Sequence, residues 1–152
     1  GQLGADLVAN AVAGIHEYPL PLAIIDMGTA STVSVVDEKK HYVGGMIFPG
    51  MGVSLDALTA RASQLSGISI EAPEHMIGKN TTECMKSGLI YSSAAAMDGI
   101  IDRLQEQLGG EATVIATGGL AKKIVPHCRR EIILDDDLLL KGLAIIYKKN
   151  RK

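Results

Sequence analysis

The chain has 152 residues, a net charge of −2, and 47% apolar and 21% charged residues. Those are the proportions of one ordinary globular domain with a core of its own. The near-neutral charge and the 3% aromatic content, with no Trp, argue against nucleic-acid binding, which needs a basic footprint or stacking platforms. No apolar run reaches the roughly 18 residues of a membrane span. Cys84 and Cys128 share no metal-type spacing and no signal-peptide pattern precedes them, so a reducing, cytoplasmic setting is expected.

Taken in chain order, residues 6–16 carry Val8, Ala11, Val12 and Ile15 at helical spacing, with Asp6 in the place of an N-cap. Pro19 and Pro21 close that helix. Leu22–Ile25 reads as a buried strand, and Ser31–Val36, rich in β-branched residues, as a second. Asp37-Glu38-Lys39-Lys40 is a polar turn into a third strand, His41–Phe48. The three predict an antiparallel meander. Pro49-Gly50-Met51-Gly52 breaks the sheet, Ser54 is expected to cap a helix to about Ser63, and residues 66–80 read as an excursion loop. Asn80 with Glu83, a variant capping box, opens a long helix to about Leu108. Its apolar stripe is Met85, Leu89, Met97, Ile100, Ile101, Leu104 and Leu108. A strand at 113–116, a turn at Thr117-Gly118-Gly119, a helix at 120–125 and a strand at 132–134 follow. A terminal helix capped by Asp137 carries Leu140, Leu143, Ile146 and Tyr147. The order predicts an α/β domain whose mixed sheet is flanked by helices. The initial Gly and the immediate onset of helical periodicity suggest a domain of a longer protein.

Four segments carry residues suited to chemistry. In Asp26-Met27-Gly28-Thr29, an acid ends a strand and a glycine admits a phosphate beside free N–H donors, although the same string makes a good hairpin turn. In Gly4-Ala5-Asp6, a carboxylate at a helix start could take a proton from a hydroxyl or merely cap the helix. Gly78-Lys79-Asn80-Thr81 lacks the upstream spacing of a Walker loop, having Pro73 where glycine is required, and fits a capped helix start. Ala116-Thr117-Gly118-Gly119 permits close approach of a ligand or serves as a tight strand–helix turn. His16, His41, His75 and His127 show no ligand spacing.

Together and in order, Gly4-Ala5-Asp6, Asp26-x-Gly28-Thr29, Gly44-Gly45-x-Ile47-x-Pro49-Gly50, Gly78-Lys79-Asn80-Thr81 and Ala116-Thr117-Gly118-Gly119-Leu120-Ala121 resemble type III pantothenate kinases from Gly4 to Asn150. The resemblance favours the chemical reading of Asp6 and Asp26 over the local one. It implies a ribonuclease H-like domain of the actin-type ATPase superfamily, the C-terminal half of a two-domain kinase; the Asp-x-Gly-Asn-Thr loop of the first half is not in this sequence. The implied activity is ATP-dependent phosphorylation of pantothenate to 4'-phosphopantothenate, the first step of coenzyme A synthesis. It comes with Mg²⁺, a monovalent cation (K⁺ or NH₄⁺) and a homodimer. By position, Asp6 is implied as general base, Gly4, Ala5, Asp6, Leu7 and Thr81 as pantothenate contacts, and Asp26 as the cation holder. Gly28, Thr29, Gly118 and Gly119 are implied on the ATP side. Leu7 departs from the family's usual Arg, whose guanidinium suits a carboxylate. That departure motivates an alternative, a non-catalytic or altered-substrate homologue acting as an accessory binding protein.

Overall fold

A computed structural model describes residues 2–61 and 67–151. The helices and strands are α1 (Gln2–Glu17), β1 (Leu22–Met27), β2 (Ala30–Val36), β3 (Tyr42–Pro49), α2 (Met51–Arg61), α3 (Thr81–Leu108), β4 (Thr113–Thr117), α4 (Ala121–Ile124), β5 (Ile133–Leu134) and α5 (Leu138–Asn150). One sheet has the order β3-β2-β1-β4-β5. The β1–β2 and β2–β3 pairs are antiparallel, as the expected meander requires, while β4 and β5 join in parallel. Among the described residues, no helix is long and apolar enough to cross a membrane.

β1 is the middle strand, and both its faces are covered. Alternate residues of a strand face opposite sides. Ile25 and Met27 therefore pack with Leu89, Ile90, Met97 and Ile101 of α3, whereas Leu22 and Ile24 pack with Ala11, Ala13 and Leu138 on the α1–α5 side. That double burial explains why the segment reads as an unbroken apolar run. α3 begins as expected: Asn80 Oδ1 accepts from the Glu83 N–H at 2.9 Å, and Glu83 Oε2 accepts from the Lys79 N–H at 2.8 Å. It ends at Gly109 with φ 79°, a left-handed cap that glycine adopts without steric cost.

Three expected caps are corrected. Asp6 lies inside α1, which starts at Gln2. Ser54 lies inside α2; its N–H bonds to Gly50 O, and the expected end at Ser63 falls outside the described residues. Asp137 precedes α5 but its side chain makes no capping bond; its own N–H donates to Asp135 Oδ1 instead, at 3.1 Å. The expected apolar faces are corrected in part. Ala11 is buried and Ile15 packs against the core as expected, but Val8 on α1 and Leu140, Leu143 and Tyr147 on α5 are exposed. The contact is made by small residues: Ala9, Ala11 and Ala13 are buried, and Gly142 of α5 sits directly on the Ala9 backbone. Helices that approach this closely leave no room for large side chains at the seam, so those turn outward.

A polar clasp holds the far end of this pair. The Tyr18 hydroxyl donates to Asp135, and Lys141 Nζ reaches Asp135 Oδ2 and Glu17 Oε2, each at 3.0 Å. Burial pushes the Tyr18 phenol up to about 12, and its bond to the Asp135 carboxylate adds to that rise.

Candidate functional site

Asp26 ends β1 on the face of Leu22 and Ile24, the face that α1 covers. Its register partners are Thr32 on β2 and Thr117 on β4, both 3% exposed. Directly opposed residues share a face, so Thr32, Asp26 and Thr117 form a polar row across a surface that is otherwise apolar except for Ser34.

From α1, Asn10 Nδ2 donates to Asp26 Oδ2 at 3.1 Å. Asn10 is 1% exposed, and its Oδ1 is the one fully enclosed side-chain N or O atom among the described residues without a hydrogen-bond partner. Asp6 stands four residues before Asn10, on the same helix face. Burial pushes the Asp26 carboxyl above its ordinary range; the Asn10 bond opposes that rise and the neighbouring Asp6 charge adds to it. Asp6 and Asp26 are thus electrostatic neighbours, held on two elements that Asn10 joins.

The backbone around this acid is tight. Gly118, at φ 97°, follows β4, and a Cβ there would stand 2.6 Å from Asp26 Oδ1 and 2.7 Å from Met27 N. Only glycine fits that approach and that dihedral. The turn is anchored by the Leu120 N–H, which donates to Met27 O at 3.0 Å. Gly28 lies beside the same carboxylate, and Gly52, in the first turn of α2, faces the Gly28 and Thr29 carbonyls. The N-terminal end of α2, where a helix has free N–H groups, therefore lies beside the 28–29 turn.

The structure brings Asp6, Asp26, Gly28 and Gly118 together. Thr29 and Gly119 are exposed nearby in the chain, Gly4 and Ala5 are exposed in the first turns of α1, and Leu7 is half-buried there. Thr81 does not group with Asp26: it opens α3, which packs on the Ile25 and Met27 face of the sheet, opposite the face that carries Asp26. On that face Ser92 shares with Met27, Ser31 and Ser54 a cavity of about 140 Å³ at the end of β1. A larger cavity, about 620 Å³, opens elsewhere between Pro19, Asp102, Thr113 and Arg130. The Asp102–Arg130 ion pair occupies its wall, and none of the motif residues lines it.

Sequence reading missed Asn10 and Gly142, and did not place Thr32 and Thr117 beside Asp26. The Asp6–Asn10 spacing of four was a usable signal for the first, but the rest depends on strand register and helix docking. Among the described residues no three His, Cys, Asp or Glu side chains converge. Asp26 and Asn10 nevertheless offer a carboxylate and an unpartnered carboxamide oxygen, hard donors that suit an alkali-type cation and would relieve the uncompensated charge.

A profile described as type III pantothenate kinase matches residues 1–103. A type III pantothenate kinase from Exiguobacterium sp. is 48% identical over 151 residues, 99% of this chain and 59% of its own length. The chain thus spans less than two thirds of that relative. Among solved structures, a conserved protein assigned to the Baf family of transcriptional activators, from Campylobacter jejuni, superposes with a TM-score of 0.58 at 21% identity. The match covers 97% of this chain and 65% of that one. The ethanolamine utilization protein EutJ from Carboxydothermus hydrogenoformans gives 0.57 at 15% identity, over 92% and 53%. The fold is the ribonuclease H-like α/β fold of actin-type ATPases and sugar kinases, its meander and mixed, helix-flanked sheet as expected. With the family profile covering two thirds of the residues and the motif acids gathered at one end of β1, the chain belongs to the type III pantothenate kinase family.

Proposed function

We propose that the protein transfers the γ-phosphoryl group of ATP to the hydroxyl of pantothenate, giving 4'-phosphopantothenate and ADP. The observation that carries this reading is the hydrogen bond from Asn10 on α1 to Asp26 on β1, which sets the helix turn that carries Asp6 beside that carboxylate. Phosphoryl transfer asks a protein mainly to position reactants and to balance charge. Asp6 has the chemistry to accept the proton of the attacking hydroxyl. Gly4 to Leu7, on the same helix turns, would line the acceptor. Gly28, Thr29 and the α2 N-terminus would receive phosphate oxygens with backbone and hydroxyl donors. Gly118 and Gly119, across the β4 turn, would admit the nucleoside.

Asp26, with Asn10, would hold the monovalent cation, K⁺ or NH₄⁺, and that cation supplies positive charge beside the phosphates. Mg²⁺ would enter with the nucleotide, since it typically takes one or two carboxylates and keeps several waters. Thr81, remote from Asp26 within one chain, would serve the acceptor site across a homodimer. The chain would act as the C-terminal half of a two-domain kinase working in the cytoplasm. No observation favours the accessory-protein alternative over this one.

The test is turnover of the intact protein with ATP, Mg²⁺ and pantothenate, the product followed by mass spectrometry. Asp6→Asn is expected to lower kcat by 10²-fold or more, the scale of general-base catalysis, while leaving ATP affinity within a few-fold. A wild-type protein that folds and binds ATP but makes no phosphopantothenate in the presence of K⁺ refutes the proposal.

A further inference from the structure

Building on the reading that Asp26 holds a monovalent cation, we infer that Asn10 is a positioning residue of that cation site. Its Nδ2 fixes the Asp26 carboxylate, and its Oδ1 gives the cation a second protein oxygen. Three observations converge on this role. The first is composition. α1 meets the rest of the fold through Ala9, Ala11 and Ala13, all buried and apolar, and Asn10 alone among these neighbours is polar yet 1% exposed. Packing at that seam asks for a small apolar residue, so a carboxamide needs another reason.

The second is orientation. A carboxylate accepts hydrogen bonds, so the amide nitrogen must face Asp26 Oδ2, where it lies at 3.1 Å. Both terminal atoms of the carboxamide hang on one carbon, so Oδ1 is held next to the nitrogen that makes that bond. It has no partner, and a buried acceptor left unmet carries its full desolvation cost. A cation between Asp26 and Asn10 removes that cost and the cost of the half-buried charge together.

The third is placement. Gly142 backs directly onto Ala9, so the helix turn carrying Asn10 is fixed against α5. Asp6, one turn earlier, inherits that position. Asn10 thus ties the general-base helix to the charge-balancing acid, and cation occupancy bears on the register of Asp6.

The experiment uses intact wild-type protein labelled with ¹³C on asparagine and aspartate side chains, titrated with KCl against choline chloride at matched ionic strength. The Asn10 and Asp26 ¹³Cγ resonances are expected to move together with one K⁺ midpoint. Movement of Asp26 alone overturns the inference about Asn10 and leaves the cation at Asp26. Movement of neither overturns both. In parallel, Asn10→Leu is expected to raise the K⁺ midpoint for thermal stabilisation at least tenfold. A merely structural asparagine predicts a Tm lowered equally with and without K⁺, and a midpoint within twofold of wild type would sink the proposal. Because the labelled wild type needs no substitution, the test stands even if the leucine variant fails to fold.

Discussion

Replacing Gly142 by alanine probes the link between a remote helix and the site. A Cβ on Gly142 would lie 2.5 Å from the Ala9 carbonyl carbon and closer still to its oxygen, whereas ordinary contact begins at 3.4 Å. Both obstacles are backbone, so no side chain can swing away; α1 and α5 must part by roughly 1 Å, and overpacking of this kind costs about 1–3 kcal/mol. At 2–4 °C per kcal/mol for a domain of this size, Tm should fall by roughly 2–12 °C. The more telling effect is catalytic. α1 carries Asp6 and Asn10, and a shift of about 1 Å in a reacting group costs on the order of 10²-fold in rate. Calorimetry gives the first number and kcat, measured well below the variant's Tm, gives the second. Gly99→Ala, in α3 with nothing within 4 Å of its added Cβ, is the control and should be neutral or stabilising by up to about 1 kcal/mol. If Gly142→Ala melts and turns over like wild type, the close docking of α1 on α5 does not position the site.

Asp26→Asn should stabilise the protein at neutral pH in cation-free buffer. Burial raises the folded carboxyl above its unfolded value, so the folded state holds its proton more tightly and stability declines as pH rises from about 4 through the folded value. Urea unfolding at pH 4 and pH 7 should show the gain only at pH 7, and added K⁺ should shrink it. Tyr18→Phe should cost about 1.5 kcal/mol at pH 7, the low end for a hydrogen bond to a charged group because the ring is partly exposed. Burial acts to raise the Asp135 carboxyl, but its bonds from Tyr18, Lys141 and the Asp137 N–H prevail and hold it below its ordinary value. That stability is present above the unfolded pKa near 3.9 and is lost as pH falls through the lower folded value, so the penalty of Tyr18→Phe should fade on acidification. Leu7→Arg should lower the pantothenate KM about tenfold or more, the scale of one charge-assisted contact. An unchanged KM would remove the acceptor carboxylate from that turn of α1.

Much of the fold was legible because it rests on local pattern. The apolar run at Leu22–Ile25, the β-branched segment ending at Val36 and the Asn80–Glu83 box each name their element within a few residues, as turn chemistry and periodicity do. Caps proved less reliable: Asp6 and Ser54 have capping side chains but sit inside helices whose starts the tertiary contacts set. The face of α5, and Val8 on α1, were misjudged for a related reason. Helical spacing marks which residues share a side, but not which side meets a neighbour, and here the neighbour was so close that only alanine and glycine could face it.

What the amino-acid order determined by itself was the set of strands and long helices and the ordered motifs, since alternation, helical period and turn residues act over a few positions. Tertiary structure alone decided that β4 runs parallel to β1, bringing Gly118 against Asp26, and that α1 lies across β1 with Asn10 reaching the same acid. Those contacts join residues 16 and 92 positions apart, counting Asn10 to Asp26 and Asp26 to Gly118. No local propensity encodes such distances; only the burial of both faces of one central strand does.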